Sequence, residues 1–473
     1  MEMCLLGRVV ACGLMFPIAG AALLAADTGP STQITQQERD YARQASAPVK
    51  AGTDLVDAKE LRIRGGLPNV FAKLQSGQAV TIAYFGGSIT AHNGWRPMTF
   101  KWFQDQFPNA KITMIPASVG GTGSLVGVFR ADKDLVAVKP DLVFIEFAVN
   151  DGGDARGKPD EVIGAIEGIV RKLWRDKNDT DVCIVYTMGA GELPILSKGK
   201  FQVAASVHEK VAERYNIPSI HMGMEVTRLS NEGKLVFTAP ATASGKTEDG
   251  KIIFSNDAVH PTIPTGHALY ADAVMRSMEQ MRGMAKPALH ELGKPMSGIR
   301  WEEAKTIPAD GNAVFTGTWD KVTAKDGPAC FRFGKRFYEW FPFLYRTSVP
   351  GSAVTVKFKG THIGIKGMTG PDSTMISVKV DDQPAVKQCQ FSVYAASYAY
   401  IGGPLPAMAD GLHTVTWTML EEKPDKGKIL ASRARAGVVT DFQAHPEKYK
   451  DHTFSVGQII LIGEMVDGGA TGK

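Results

Sequence analysis

The hydrophobic pattern changes period partway along the chain. Before about residue 290, short and nearly continuous apolar runs alternate with longer stretches in which apolar positions recur every three or four residues. After about residue 313, apolar and polar positions alternate in short bursts. Continuous runs bounded by turn formers predict strands buried on both faces, the three-to-four spacing predicts amphipathic helices, and strict alternation predicts half-buried strands. In the first region Thr81 to Phe85, Ile112 to Ile115, Leu142 to Phe147, Val182 to Met188 and Ile217 to His221 read as strands. Asp160 to Leu173, Gln202 to Arg214 and Pro264 to Met284 read as helices, with a further helix through Phe107 and a short approach helix over Leu61 to Leu74. Such alternation implies an α/β fold, a parallel sheet with helices on both faces.

The second region carries Val354 to Phe358, His362 to Ile365, Met375 to Val380, His413 to Met419 and Gln458 to Leu461, separated by turns such as Asp381-Asp382-Gln383 and Ala409-Asp410-Gly411. Short alternating strands with turn signals predict an all-β, jelly-roll-like sandwich. Pro287 to Pro308, rich in Pro, Gly and Lys, marks the change of register. The layout expected is an export signal over 1–26, a polar leader over 27–56, an α/β domain over 57–290, a linker over 291–312 and a β-sandwich over 313–473.

Composition narrows the picture. A chain of 473 residues exceeds one ordinary core, and 44% hydrophobic with 22% charged residues is a globular balance. The net charge of +4 is spread without a long Lys/Arg run, so nucleic acid is not an expected partner. Met1 to Ala26 has the form of a secretory signal: Arg8, an apolar stretch from Val9 to Leu24 broken by Gly13 and Pro17, then Ala25-Ala26. That stretch is too short and broken for a comfortable membrane span, so export without stable anchoring is expected, an anchor being the alternative. Cys4 and Cys12 leave with the signal, and Cys183, Cys330 and Cys389 remain. Three cysteines are no disulfide framework, and without a Cys-x-x-Cys or Cys/His cluster no metal or cofactor is expected. Cys183 falls in an apolar run and reads as core. A Cys330–Cys389 bridge stays open for an exported protein.

Candidate chemistry collects at the ends of the apolar runs. Thr81 to Phe85 ends in Gly86-Gly87-Ser88, which puts Ser88 on a sharp turn. A serine becomes a nucleophile only with a base to take its proton and donors to stabilise the oxyanion. Asp257-Ala258-Val259-His260 supplies a base and a carboxylate to orient it. Asn150 follows the run ending at Phe147, and Ala117 to Gly123 follows the run ending at Ile115, where glycine lets backbone N–H groups approach a substrate. Asp151 reads as a structural hydrogen-bonder beside Asn150.

These four blocks, in this order, resemble those of the SGNH (GDSL-type) hydrolases over roughly Val80 to Met284. Ser88 matches the nucleophile block, with Gly87 where many members have Asp. Gly121 matches the second block, although Pro116 replaces its leading Asn. Asn150 matches the third, with Ala148 for its Gly, and Asp257 and His260 match the last. The resemblance implies that Ser88 attacks an ester carbonyl, His260 shuttles the proton and Asp257 steadies the imidazolium. Ser88, Gly121 and Asn150 would form the oxyanion hole. Secreted family members with an appended sandwich are often carbohydrate acetyl esterases, so the expected substrate is an acetylated polysaccharide or oligosaccharide. The polar residues near the nucleophile, Thr90, His92, Asn93 and Arg96, fit a small acyl group on a polar alcohol.

Trp95 and Arg96 are candidate substrate contacts at the rim, Trp95 having packing under the loop as its alternative. His267 either shapes the site or is structural. Tyr338, Trp340, Phe341, Phe343 and Tyr345 form an aromatic cluster that either lines a saccharide-binding face or fills the second core. Two other readings stay open: a lipolytic esterase or thioesterase on other acyl groups, and a non-catalytic carbohydrate-binding protein. Nothing in the sequence sets the oligomeric state.

Overall fold

The computed structural model describes residues 54–323, 341–393, 395, 399–433 and 436–466. The export signal, nearly all of the leader, Cys330 with its bridge to Cys389, Tyr338 and Trp340 lie outside the described residues. The chain divides into two compact units, one holding Ala131–Gly298 with the chain up to Gly127, the other Ile299 onward with Val128–Arg130.

The first unit is built on six strands: β1 (Leu61–Arg62), β2 (Val80–Gly86), β3 (Ile112–Pro116), β4 (Leu142–Glu146), β5 (Asp181–Tyr186) and β6 (Ser219–His221). Their order is β1-β6-β5-β4-β2-β3, with β2 to β6 parallel and β1 antiparallel at the edge. Every residue of β4 and β5 is buried. This is why those segments read as mostly apolar, nearly continuous runs. Helix Trp95–Gln106 packs with Gly266–Met281, and Pro159–Asp176 packs with Val203–Arg214. Between the layers Tyr84 stacks on Phe144 at 5.1 Å and Phe85 meets Phe147 edge-on at 5.3 Å. Each such ring contributes roughly 2–3 kcal/mol by leaving water.

This order places a consequence on the loops. The chain lays β3 on one side of β2 and β4 on the other, then continues outward. A cleft opens at the carboxyl ends of strands where winding reverses in this way. The loops after β2 and β4 carry Ser88 and Asn150.

The expected helix over Leu61 to Leu74 is corrected: β1 comes first, and the helix spans only Pro68–Gln75. Arg64 and Gly66 both adopt positive φ, which breaks the helical path, and Pro68 starts a new helix where its missing N–H costs nothing. A parallel pair absent from the sequence reading, β7 (Leu235–Thr238) with β8 (Ile252–Ser255), leads into the Asp257 turn.

The second unit is mostly antiparallel sheet. Its strands are β9 (Lys305–Pro308), β10 (Val314–Thr316), β11 (Asp320–Thr323), β12 (Phe343–Thr347), β13 (Ala353–Thr369), β14 (Met375–Val380), β15 (Val386–Cys389), β16 (Ala399–Ile401), β17 (Gly411–Met419), β18 (Phe454–Val456) and β19 (Gln458–Met465). One sheet runs β15-β14-β17-β13-β19-β9, with β10 and β16 also on β13, and a smaller one runs β11-β12-β18. Val354, Val356, Phe358, Val415 and Trp417 of the large sheet share a core with Phe454 and Val456 of the small one. The two strands expected at Val354 to Phe358 and His362 to Ile365 are one, β13, whose register shifts between Gly360 and His362. Glycine is required there, because a Cβ on Gly360 would lie 2.2 Å from the Ile462 carbonyl oxygen. Helices Lys426–Arg433 and Ala436–Ala444 interrupt the strands and were not foreseen.

The described aromatics of the cluster are divided. Phe341 is buried, while Tyr345 of β12 packs on Phe315 at 4.2 Å and Lys321 Nζ lies 4.4 Å from the Phe343 ring centre.

Candidate active site

The turn after β2 is set by its two glycines. A Cβ on Gly86 would meet the Glu146 carbonyl oxygen at 2.5 Å, and one on Gly87 would meet Asn150 Oδ1 at 2.0 Å. Backbone of the β2 end and side chain of the β4 loop therefore approach as only glycine allows. Gly87 is extended, with φ −90° and ψ −154°, and Ser88 opens the single-turn helix Ser88–Ala91. Below the turn, Gly87 N–H donates to the Glu146 carbonyl at 3.2 Å and Thr90 Oγ1 donates to Glu146 Oε2 at 2.8 Å. Thr187 Oγ1 donates to Glu146 Oε1 at 2.5 Å. Burial pushes the Glu146 carboxyl above its ordinary range, and the two threonine hydroxyls only partly offset this. The sequence reading passed over Glu146. Its signal was there: a lone acid in an otherwise apolar buried strand.

Ser88, His260 and Asp257 form one hydrogen-bonded line. Ser88 Oγ lies 2.7 Å from His260 Nε2, and His260 Nδ1 lies 2.7 Å from Asp257 Oδ2. Ser88 and His260 are 172 positions apart, so the sheet brings them together. Asp257 and His260 meet through the turn between them: Ala258 takes φ +66°, and Asp257 Oδ1 accepts the N–H groups of Val259 at 3.1 Å and His260 at 2.7 Å. The Ala258 carbonyl accepts Ala190 N–H at 2.9 Å, which fixes the turn from outside. Burial pushes the Asp257 carboxyl up, but the His260 ring and those N–H groups outweigh it and hold Asp257 well below the ordinary carboxylate range. The line is partly open, with the His260 side chain 21% exposed.

The loop after β3 is fastened to β2. Val119 N–H donates to the Gly86 carbonyl at 2.9 Å and Ser118 Oγ to the Tyr84 carbonyl at 2.8 Å. This carries Gly120 beside Ser88: its Cβ position lies 3.7 Å from Ser88 Cβ. Gly121 adopts φ +73° and is exposed, with nothing within 4 Å of where a Cβ would stand. The Asn150 side chain is half-buried and held by no hydrogen bond among the described residues. Asp151 is fully buried; it accepts Ser124 N–H at 2.8 Å and lies 2.8 Å from His208 Nε2, tying the β3 and β4 loops together.

Two expected substrate contacts are corrected. Trp95 is fully buried and packs edge-on against Tyr84 at 5.3 Å and Phe144 at 5.9 Å. Arg96 is also buried, its guanidinium spent on the Thr90 carbonyl at 3.1 Å, the Ala91 carbonyl at 3.5 Å and Asn93 Oδ1 at 3.2 Å. These partners turn Arg96 into a brace on the loop that follows Ser88. His267 is buried beneath that loop, where Nδ1 accepts Trp95 N–H at 3.2 Å. Burial, with His92 and His260 nearby, pushes its pKa down to about 3. Gly94 has no side chain because His267 fills the space, 2.1 Å from where a Cβ would stand.

Residues 84–269 match the model of the GDSL-like lipase/acylhydrolase family, so the chain carries a GDSL-like lipase/acylhydrolase domain. The chain is similar in fold to two solved structures. One is a two-domain esterase (CEX) active on acetylated mannans, co-crystallised with mannopentaose: 21% identity, 89% of this chain and 99% of that one covered, TM-score 0.62. The other is a two-domain esterase (CEX) active on acetylated mannans: 21% identity, 87% and 98% covered, TM-score 0.63. No curated protein matched by sequence.

Proposed function

From a GDSL-like acylhydrolase domain with Ser88, His260 and Asp257 in line, we propose an exported serine esterase that removes O-acetyl groups from a polysaccharide or oligosaccharide. The observation that carries this reading is the pair of 2.7 Å contacts linking Ser88 Oγ to His260 and His260 to Asp257. Ser88 Oγ attacks the acetyl carbonyl as His260 Nε2 takes its proton, and Asp257 balances the imidazolium that results. The oxyanion is stabilised by the N–H groups of Ser88 and Gly121 and by the Asn150 amide. His260 returns the proton to the departing sugar oxygen, and water then releases acetate by the same steps in reverse order.

Support for a carbohydrate substrate comes from the fold shared across nearly the whole chain with an esterase described as active on acetylated mannans. It also comes from the polar rim, where His92 and Asn93 are exposed beside the nucleophile helix. Export rests on the pattern of Met1 to Ala26.

The test is hydrolysis of 4-nitrophenyl esters from acetate to octanoate, beside acetate release from acetylated mannan and xylan, by the wild type and Ser88→Ala. Turnover confined to short acyl groups, acetate freed from a polysaccharide, and loss of both in Ser88→Ala are expected. A preference for octanoate would replace the reading with a lipolytic one. Polysaccharide binding without turnover would replace it with a binding protein.

A further inference from the structure

His92 is the first residue after the helix that Ser88 opens, and its N–H donates to the Ser88 carbonyl at 3.1 Å. Its backbone is therefore fixed to the nucleophile. The Arg96 guanidinium holds the carbonyls of Thr90 and Ala91 and the side chain of Asn93, so the loop on either side of His92 is braced. One face of the His92 ring packs on the His260 ring, centroids 5.0 Å apart and planes 31° from parallel, and the buried His267 ring lies 5.9 Å away. The rest of His92 is exposed, and no described residue hydrogen-bonds its ring nitrogens.

The position has a mechanistic meaning. The leaving oxygen must come within hydrogen-bond reach of His260 Nε2 to be protonated. The alcohol half of the ester thus lies against His260, while the acyl oxygen points to Gly121 and Asn150. A sugar alcohol brings hydroxyls beside its ester oxygen, whereas a nitrophenol brings none. We infer that His92 binds a hydroxyl of the alcohol half of the ester and so favours sugar esters over simple ones; this rests on the carbohydrate reading above. Burial and the neighbouring His260 hold the His92 pKa below its ordinary value, so the ring is neutral at pH 7 and offers one N–H donor and one acceptor. Both suit a hydroxyl.

His92→Phe keeps a ring against His260 and removes both nitrogens, while His92→Gln keeps a donor and an acceptor. Each is compared with the wild type on an acetylated oligosaccharide and on 4-nitrophenyl acetate. Losing one substrate hydrogen bond should lower kcat/KM of His92→Phe about five- to tenfold more on the sugar than on the nitrophenyl ester, with His92→Gln recovering part of that difference. An equal fall on both substrates would overturn the inference in favour of a packing role for His92, and no fall on either would overturn it outright. A wild type that cleaves 4-nitrophenyl acetate but no acetylated sugar would remove the carbohydrate reading, and the role of His92 with it, before any variant is made.

Discussion

Gly87 and Asn150 compete for one space, and under the proposed mechanism, in which the Asn150 amide serves the oxyanion, the consequence is catalytic. The 2.0 Å between Asn150 Oδ1 and a Cβ on Gly87 means that even a methyl group must displace the Asn150 amide. Removing one oxyanion donor costs about a hundredfold in kcat, roughly 3 kcal/mol. Asn150→Ala is expected to show that loss with thermal stability nearly unchanged, and Gly87→Ala to approach it. Steady-state kinetics of the double variant provide the check: if both act through one amide, the pair is no worse than Asn150→Ala alone. At this scale the sequence was informative wherever a polar residue ended an apolar run. Ser88, Asn150 and the Asp257–His260 pair were visible for that reason. Trp95 and Arg96 were not, because a polar loop between two strands does not reveal which of its side chains turn inward. Trp95 faces the rings of Tyr84 and Phe144, and Arg96 faces three oxygen atoms of its own loop.

Among the elements, the short segment Ala190–Glu192 holds the Asp257–His260 turn through Ala190 N–H on the Ala258 carbonyl, and its own shape depends on Glu192. Glu192 Oε2 accepts Gly189 N–H at 2.9 Å. Burial pushes the Glu192 carboxyl up from 4.5 to about 7, the Gly189 N–H offsetting only part. The sign follows from linkage. Below pH 4.5 the group is protonated in both states; between 4.5 and 7 the unfolded chain ionises first; so stability is lost as pH rises through that window, by about 3 kcal/mol in all. Glu192→Gln removes this dependence. Thermal melting of the two proteins from pH 4.5 to pH 8 should show the variant gaining on the wild type as pH rises, and a constant difference would refute the assignment. Glu192 sits in a loop whose role depends on Ala258, 66 positions on, so the sequence reading had no means to find it. The same holds for β7 and β8, whose pairing crosses an exposed loop, and for β13, where the break expected between Phe358 and His362 is a register shift at Gly360 within one long strand.

For the molecule as a whole, the segment between the two units is where composition said least. Pro, Gly and Lys there suggested a linker, yet the part from Ala288 to Ser297, which has no helix or strand, is held along its length by the first unit. Ala288 exchanges hydrogen bonds with the Asn69 amide at 2.8 and 2.9 Å, and His290 stacks on Trp174 at 4.4 Å and reaches Asp181 Oδ1 at 2.9 Å. Arg171 holds the carbonyls of Leu292 and Gly293, and Glu167 accepts the N–H groups of Met296 at 2.7 Å and Ser297 at 3.3 Å. Glu167 is itself buried in the middle of helix Pro159–Asp176 and also accepts Tyr215 Oη–H at 2.6 Å. Removing it leaves a hydroxyl and two N–H groups without their acceptor, at about 1–3 kcal/mol for each group that water cannot reach. Glu167→Ala is therefore expected to release the far end of the strap first, while Asn69 and Asp181 keep the near end. Limited digestion with subtilisin, followed by mass spectrometry, should then find new cleavage between His290 and Arg300 in Glu167→Ala well before the first unit is degraded, with turnover of 4-nitrophenyl acetate retained. Equal digestion of variant and wild type in that stretch would mean that Asn69, Asp181 and Arg171 hold the strap without Glu167.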